Sequence, residues 1–413
     1  MPLQVLPTVE RWDCHQCGIC CRGSIVPLSD EDLARLREQH WERHPEMAGT
    51  PTTARLSLLS GQQRLAQHPD GRCVFLLPDG MCRIHRELGF GAKPLVCRMF
   101  PLQIVPRDSL ALLTIRRACP SAAADRGQTV AEQLPFAKDM DRQFGITRQG
   151  VQPPPLKPGE TRDWKGARLL LETYERQLTD ERYPPVRRIV HALVLSQLFE
   201  RAKTKSFSHA QLGDLLRMLE TSAPDEVGTL FSQRERPAGS ARVLFRQTAA
   251  EVVRLHPRFP PKPTWGEWLR IAWGAIAFAR GRGPLPKLHL DFPPATFEQL
   301  EEPLGPLDPA IYLPLNRFLE TTALSWNYAL SCRGRWSLVE SLRQLAITYP
   351  IALWLLRWAS CGRQPTVADM IDIVVALDRS QGYAPLAGSK QRRRLALLAS
   401  LDELTRLDVW YAR

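Results

Sequence analysis

Apolar positions recur at helical spacing near the end of the chain, where Val367, Met370, Ile371, Val374 and Val375 follow Pro365 and the capping residue Thr366. That spacing predicts an amphipathic helix. Arg393 to Leu407 predicts a similar one, with Leu395, Leu398, Leu401 and Leu404 turned inward. Leu345 to Leu356 is apolar almost throughout, but it contains Pro350 and ends at Arg357. It falls short of the roughly 18 residues a membrane span needs and reads as a buried helix pair.

The pattern changes in the first third of the chain. Arg72 to Leu77 and Met81 to Ile84 flank Pro78-Asp79-Gly80, which predicts a hairpin bringing Cys73 and Cys82 together. Leu102 to Val105 and Leu110 to Ile115, joined through Pro106 to Ser109, predict a second hairpin that returns Cys119 toward Cys97. Ser29-Asp30-Glu31-Asp32 is a capped helix start with acidic groups at its positive end. A helix is expected around Gln128 to Gln143. The stiff stretch from Val151 to Pro158 then reads as a boundary or a strap between domains. Beyond it the chain reads as helices broken by proline-rich segments at His256 to Pro263 and Gly283 to Pro294. The expectation is an α+β protein, mostly α: a small cysteine-rich metal-binding domain with short β-hairpins at 1–150, then an all-helical domain of unassigned role at 151–413.

Composition adds limits. With 413 residues, 44% hydrophobic and 24% charged, the chain has the profile of a folded protein long enough for two domains. No repeat period is visible, which sets solenoids aside. Met1 to Asp13 lacks a basic segment followed by an apolar one, so a cytoplasmic location is expected. The net charge of +12 raises the question of nucleic acid. However, residues 1–150 carry 19 basic against 16 acidic groups, and the excess sits mostly in the second half.

The sharpest signal is Cys14-His15-Gln16-Cys17-Gly18-Ile19-Cys20-Cys21, because two-residue spacings let a tight turn aim successive thiolates at one centre. Cys73, Cys82 and Cys97 form a second group, and Cys119-Pro120 supplies an eighth thiol. In a reducing compartment such grouping favours metal over disulfide. Zinc and a cubane iron-sulfur cluster each take four such ligands, so the eight suffice for two centres or for one with spares. Thiolate ligands suit zinc and iron alike. Neighbouring Cys20 and Cys21 diverge in extended backbone, so the pair either serves two centres or places one sulfur on metal. His15 and His85 are alternative ligands or ordinary neighbours. Lys93 and Arg98 flank Cys97, where they stabilise thiolate charge or stay solvated. Cys332 and Cys361 stand alone and read as ordinary buried thiols.

These residues carry a resemblance. The run CxxCxxCC, then Cys73-Val74-Phe75-Leu76, Cys82-Arg83-Ile84-His85 and Lys93-Pro94-Leu95-Val96-Cys97-Arg98-Met99-Phe100-Pro101, resembles the YkgJ-like cysteine-cluster family across residues 14 to 120. That family is one of zinc- or iron-chelating domains and includes flagellin lysine N-methylases. Gly89 and Cys119-Pro120 are similar to the methylase branch, whose long helical C-terminal region Pro309 to Trp358 resembles loosely. The resemblance implies an iron-sulfur cluster (4Fe-4S) or zinc on Cys14, Cys17, Cys20, Cys21, Cys73, Cys82, Cys97 and Cys119. It further implies methyl transfer from S-adenosylmethionine to lysines of a protein substrate.

Three function classes follow. As a protein lysine N-methyltransferase the chain would bind its donor without a dinucleotide fingerprint, since Gly89 to Pro94 lacks the third glycine and a preceding strand. An open iron position that takes the donor's amino and carboxylate groups is one physical route. The radical-type Cys-x3-Cys-x2-Cys spacing is missing, which favours polar transfer. The alternative is a metal-binding or redox-sensing protein without enzymatic activity. A zinc-dependent nucleic-acid-binding protein ranks third, because Cys73, Cys82 and Cys97 lack zinc-knuckle spacing.

Overall fold

The computed structural model of the chain describes all residues except 57–60, 149, 255, 257–264, 289–290, 332–335 and 381–388; for 265–272 and 389 only the backbone is described. Its architecture is α+β and mostly α: short strands lie in the first 130 residues and helices follow.

Strand Leu102–Pro106 pairs antiparallel with Ala111–Ile115, from Leu102 opposite Ile115 to Pro106 opposite Ala111. The turn closes through the Arg107 N–H on the Leu110 carbonyl at 2.8 Å, so the predicted hairpin forms within a residue of its expected ends. Leu3–Val5 joins Ala111–Ile115 in parallel. Every residue of this central strand is buried, because helix Leu134–Phe144 packs on the sheet while helix Pro309–Ser325 contacts the strand itself. A strand covered on both faces reads as a continuous apolar run, and Ala-Leu-Leu-Thr-Ile does. The helix expected from Gln128 starts at Leu134, since Gln128–Thr129 is taken up in pairing with Arg11–Trp12.

The hairpin expected at 72–84 is half realised. Its turn exists, with the Leu77 N–H on the Met81 carbonyl at 2.9 Å and Gly80 at φ +86°. Its arms are not strands. Leu76 and Cys82 make an isolated bridge, Cys73 to Leu76 is itself a turn, and Arg83–Leu88 is a helix. The reason lies in the core: the adjacent residues Val74 and Phe75 are both buried with Leu28, Trp41, Leu65 and Ile84. A strand would send neighbours to opposite faces.

In the second part, helices Trp164–Thr179, Pro185–Arg201, Pro309–Ser325, Leu338–Ala346, Thr348–Ala359, Val367–Ser380 and Glu403–Tyr411 share one large core. The apolar run at 345–356 is the expected buried pair, with all of Thr348–Ala359 buried. Thr366 and Asp369 cap Val367–Ser380 reciprocally, at 3.3 and 2.8 Å. The Pro-rich stretch after Val151 acts as a strap: the carbonyls of Pro155 and Leu156 accept from the Leu338 and Val339 N–H groups at 2.8 and 3.2 Å. These are orphan donors at the start of a helix. Leu401 departs from expectation, being exposed. Asp402 takes a left-handed φ of 55° and splits the predicted single helix into Ser389–Ser400 and Glu403–Tyr411. The break resets the helical phase, so Leu395, Leu398 and Leu404 are buried while Leu401 is not.

Candidate metal centre

The CxxCxxCC loop is wound tightly by left-handed residues, Gln16 at φ 54° and Gly18 at φ 67°. It ends in a short 3-10 turn, Ile19–Cys21, closed by the Cys21 N–H on the Gly18 carbonyl at 3.1 Å. The turn around Gly80 sits directly on this loop. A Cβ at Gly80 would stand 2.1 Å from the Gln16 carbonyl oxygen, so only glycine permits the approach. Beside it the Cys73 N–H donates to the Cys21 carbonyl at 2.8 Å. These contacts lay the second cysteine group alongside the first.

The remaining thiols are held by short helices. Cys97 lies within Leu95–Met99, whose first N–H, on Leu95, donates to Asp32 Oδ1 at 3.0 Å. Asp32 is almost fully buried and also caps its own helix, Asp30–Glu38, through a reciprocal bond with Ser29. One carboxylate thus orients two helices, a role the sequence shows only as part of a capping motif. Cys82 and Cys119 precede the first turns of Arg83–Leu88 and Pro120–Ala123. Three apolar clusters meet here. Cys73, Cys82 and Cys97 pack on the rim of the Trp41 and Phe75 cluster, Cys119 lies in the cluster of Leu113 and Met140, and Ile19 belongs to the large helical core.

Cys20 is the hub. Its sulfur lies 3.8 Å from that of Cys21, and Cys17, Cys73, Cys97 and Cys119 are all within its electrostatic reach. Cys14 acts on Cys17, and Cys82 on Cys73 and Cys97. Cys14 and Cys17 are exposed, the others more enclosed, and all eight are free thiols. Among the described residues, no three Cys, His, Asp or Glu side chains form a ready-made metal cage. The fold gathers the sulfurs without locking them.

Their electrostatics suit a cation. Contact with Cys21 and burial push the Cys20 thiol well up; burial raises Cys73 to about 12, Cys119 to about 11, and Cys97 higher still. Thiolates in such surroundings are costly alone and are relieved by a bound metal, which deprotonates its ligands. Lys93 lies near Cys20 and Cys97 and favours their charged forms. Arg98 turns away, bonding Gln143 Oε1 at 2.9 Å. His15 is exposed, and His85 packs edge-on against Phe90 at 5.6 Å. Cys361 is partly buried at the helical core, and Cys332 lies outside the described residues. Sequence reasoning missed Arg379, which reaches the loop from helix Val367–Ser380.

Short turns carry these eight cysteines, and Lys93 and Arg379 bring positive charge to Cys20. Residues 13–120 match the model of the CxxCxxCC family, described as a "putative zinc- or iron-chelating domain", which makes this part of the chain similar to a metal-binding cysteine-cluster domain. The match spans all eight cysteines. An uncharacterized protein of Methanocaldococcus jannaschii is 26% identical over 111 residues, which cover 26% of this chain and 36% of that relative. The chain therefore spans about a third of the length of the relative it matches. No solved structure matches the chain. Among the described residues no helix is long and apolar enough to cross a membrane.

Proposed function

We propose that Cys14, Cys17, Cys20, Cys21, Cys73, Cys82, Cys97 and Cys119 hold a zinc or iron-sulfur centre through which the protein works. The observation that carries this reading is the seating of the Gly80 turn and the Cys73 N–H on the Cys14–Cys21 loop, where the Cys20 and Cys21 sulfurs lie 3.8 Å apart. Zinc and a cubane cluster each take four thiolates, so eight exceed what one structural zinc needs and suffice for two centres or for one with spares. The finer proposal is that a 4Fe-4S cluster supports transfer of a methyl group from S-adenosylmethionine to lysines of a protein substrate. It rests on the motif resemblance, and it assigns the helical part, from about residue 151, to substrate handling.

The test is anaerobic purification of the full chain with metal and acid-labile sulfide analysis and an absorption spectrum. Iron and sulfide in cubane proportion support the cluster. Stoichiometric zinc without sulfide leaves a binding module and removes the methyl-transfer reading. The donor is tested by equilibrium binding of S-adenosylmethionine, expected for the holoprotein and lost in Cys17→Ser and Cys97→Ser. Equal binding by folded, demetallated protein would overturn any role of the metal in holding it.

A further inference from the structure

Arg379 lies in the last turn of helix Val367–Ser380, yet its guanidinium works in the CxxCxxCC loop. It donates to the Ile19 carbonyl at 3.3 Å, the Arg22 carbonyl at 3.2 Å and Ser24 Oγ at 2.9 Å. The two carbonyls bracket Cys20 and Cys21. All three acceptors are neutral, and its Nε is buried without a hydrogen-bond partner among the described residues.

The adjacent carboxylate does not neutralise this cation directly. Asp378 Oδ2 instead accepts from Arg116 Nε at 2.8 Å and from the Ala118 N–H at 2.7 Å, tying the helix to the segment that leads into Cys119. A guanidinium this enclosed, with neutral acceptors only, carries an uncompensated charge, which is costly unless an anion stands nearby. The acidic groups in range are Cys20 and Asp378, and Asp378 is already engaged by Arg116. Four thiolates around one divalent zinc leave a net charge of about −2, so such a centre needs cations where solvent is excluded. Lys93 supplies one from the cysteine-rich part of the chain, and Arg379 supplies another from the helical part.

We propose that Arg379 is a positioning residue of the thiolate centre: it fixes the Cys14–Cys21 loop by its carbonyls and supplies the positive charge beside Cys20, which makes the helical part a component of the metal site. This inference rests on the metal-centre reading above. It also gives the helical part a role that no cysteine motif announces.

The test titrates reduced, metal-free full-length protein with cobalt(II), read by sulfur-to-cobalt charge-transfer absorption. If the wild type shows no such band, the metal-centre reading itself falls. Where the wild type binds, Arg379→Gln is expected to bind cobalt about tenfold or more weakly, the scale of losing one neighbouring charge inside a protein. Arg379→Lys, which keeps the charge without the planar fork, is expected within about threefold of wild type. Equal binding by Arg379→Gln and wild type overturns the proposal. So does an equal loss in both variants, since a purely structural clamp gives that result. Circular dichroism checks the fold. If Arg379→Gln is unfolded at the assay temperature, Arg379→Lys decides alone: affinity within threefold supports the charge role, and a tenfold loss with an intact fold overturns it.

Discussion

In the helical part, Trp354 packs edge-on against Trp358 at 5.9 Å and Phe245 stacks on Tyr411 at 4.5 Å, within one apolar core that also takes in Ile19, Val105 and Ala123 from the first part of the chain. The cysteine-rich part divides most of its remaining apolar side chains between two smaller clusters and places Cys73, Cys82 and Cys97 on the rim of one and Cys119 inside the other. The difference teaches where stability comes from. A continuous core can offset chain entropy by burial alone, whereas small divided cores fall short and depend on cross-links. Here the buried ion pair of Asp378 with Arg116 is one such tie, and on the proposed reading the cysteine ligands of a metal are others.

The largest expected effect falls on the helical side. Trp354→Ala empties a fully buried site and is expected to cost about 3–5 kcal/mol in denaturant unfolding. Metal content should stay at the wild-type level; parallel loss of metal would mean the two parts unfold as one. On the cysteine-rich side, burial of Glu10 raises its carboxyl from 4.5 to about 7, against the opposing pull of Arg117. A raised carboxyl pKa means the folded state holds a proton that the unfolded chain has released. Stability is therefore lost as pH rises from about 4.5 through 7 and levels off above, by on the order of 3 kcal/mol. Glu10→Gln is expected to remove that slope, measured as urea midpoints between pH 5 and 8, and an unchanged slope would place the titration elsewhere.

Gly80→Val comes next. It forces a branched side chain into a left-handed turn against the Gln16 carbonyl, at about 1–3 kcal/mol. Metal retention against a chelator should fall while the helical core is untouched, so unchanged retention would show that the turn does not seat the loop. The smallest effect is at Leu401, which is 55% exposed. Leu401→Ala should change stability by no more than about 0.5 kcal/mol, and a loss of the size seen for a core leucine would mean that the helix runs on through Asp402.

How much of this was legible in the sequence follows the range of the interactions. Local signals read correctly: the Thr366 cap and the hairpin from Leu102 to Ile115 each depend on residues a few positions apart. Leu401 was misread because periodicity assumes an unbroken helix, and the left-handed Asp402 leaves no strong signature. The arms at 72–84 were misread because two adjacent apolar residues, Val74 and Phe75, belong to one core that only the fold assembles. The roles of Glu10, Asp32 and Arg379 were invisible, since a charged residue acquires its meaning from partners brought to it by distant chain.

The contact between Arg379 and the Arg22 carbonyl joins residues 357 positions apart. On a ribosome adding about 5–20 residues per second, the cysteine loop is therefore made about 20–70 s before its last hydrogen-bond donors are. For that interval its thiols emerge without the guanidinium that braces them, open to any soft cation or oxidant in the surroundings. The order of synthesis thus separates the moment when the loop first meets its surroundings from the moment when the helical part can brace it.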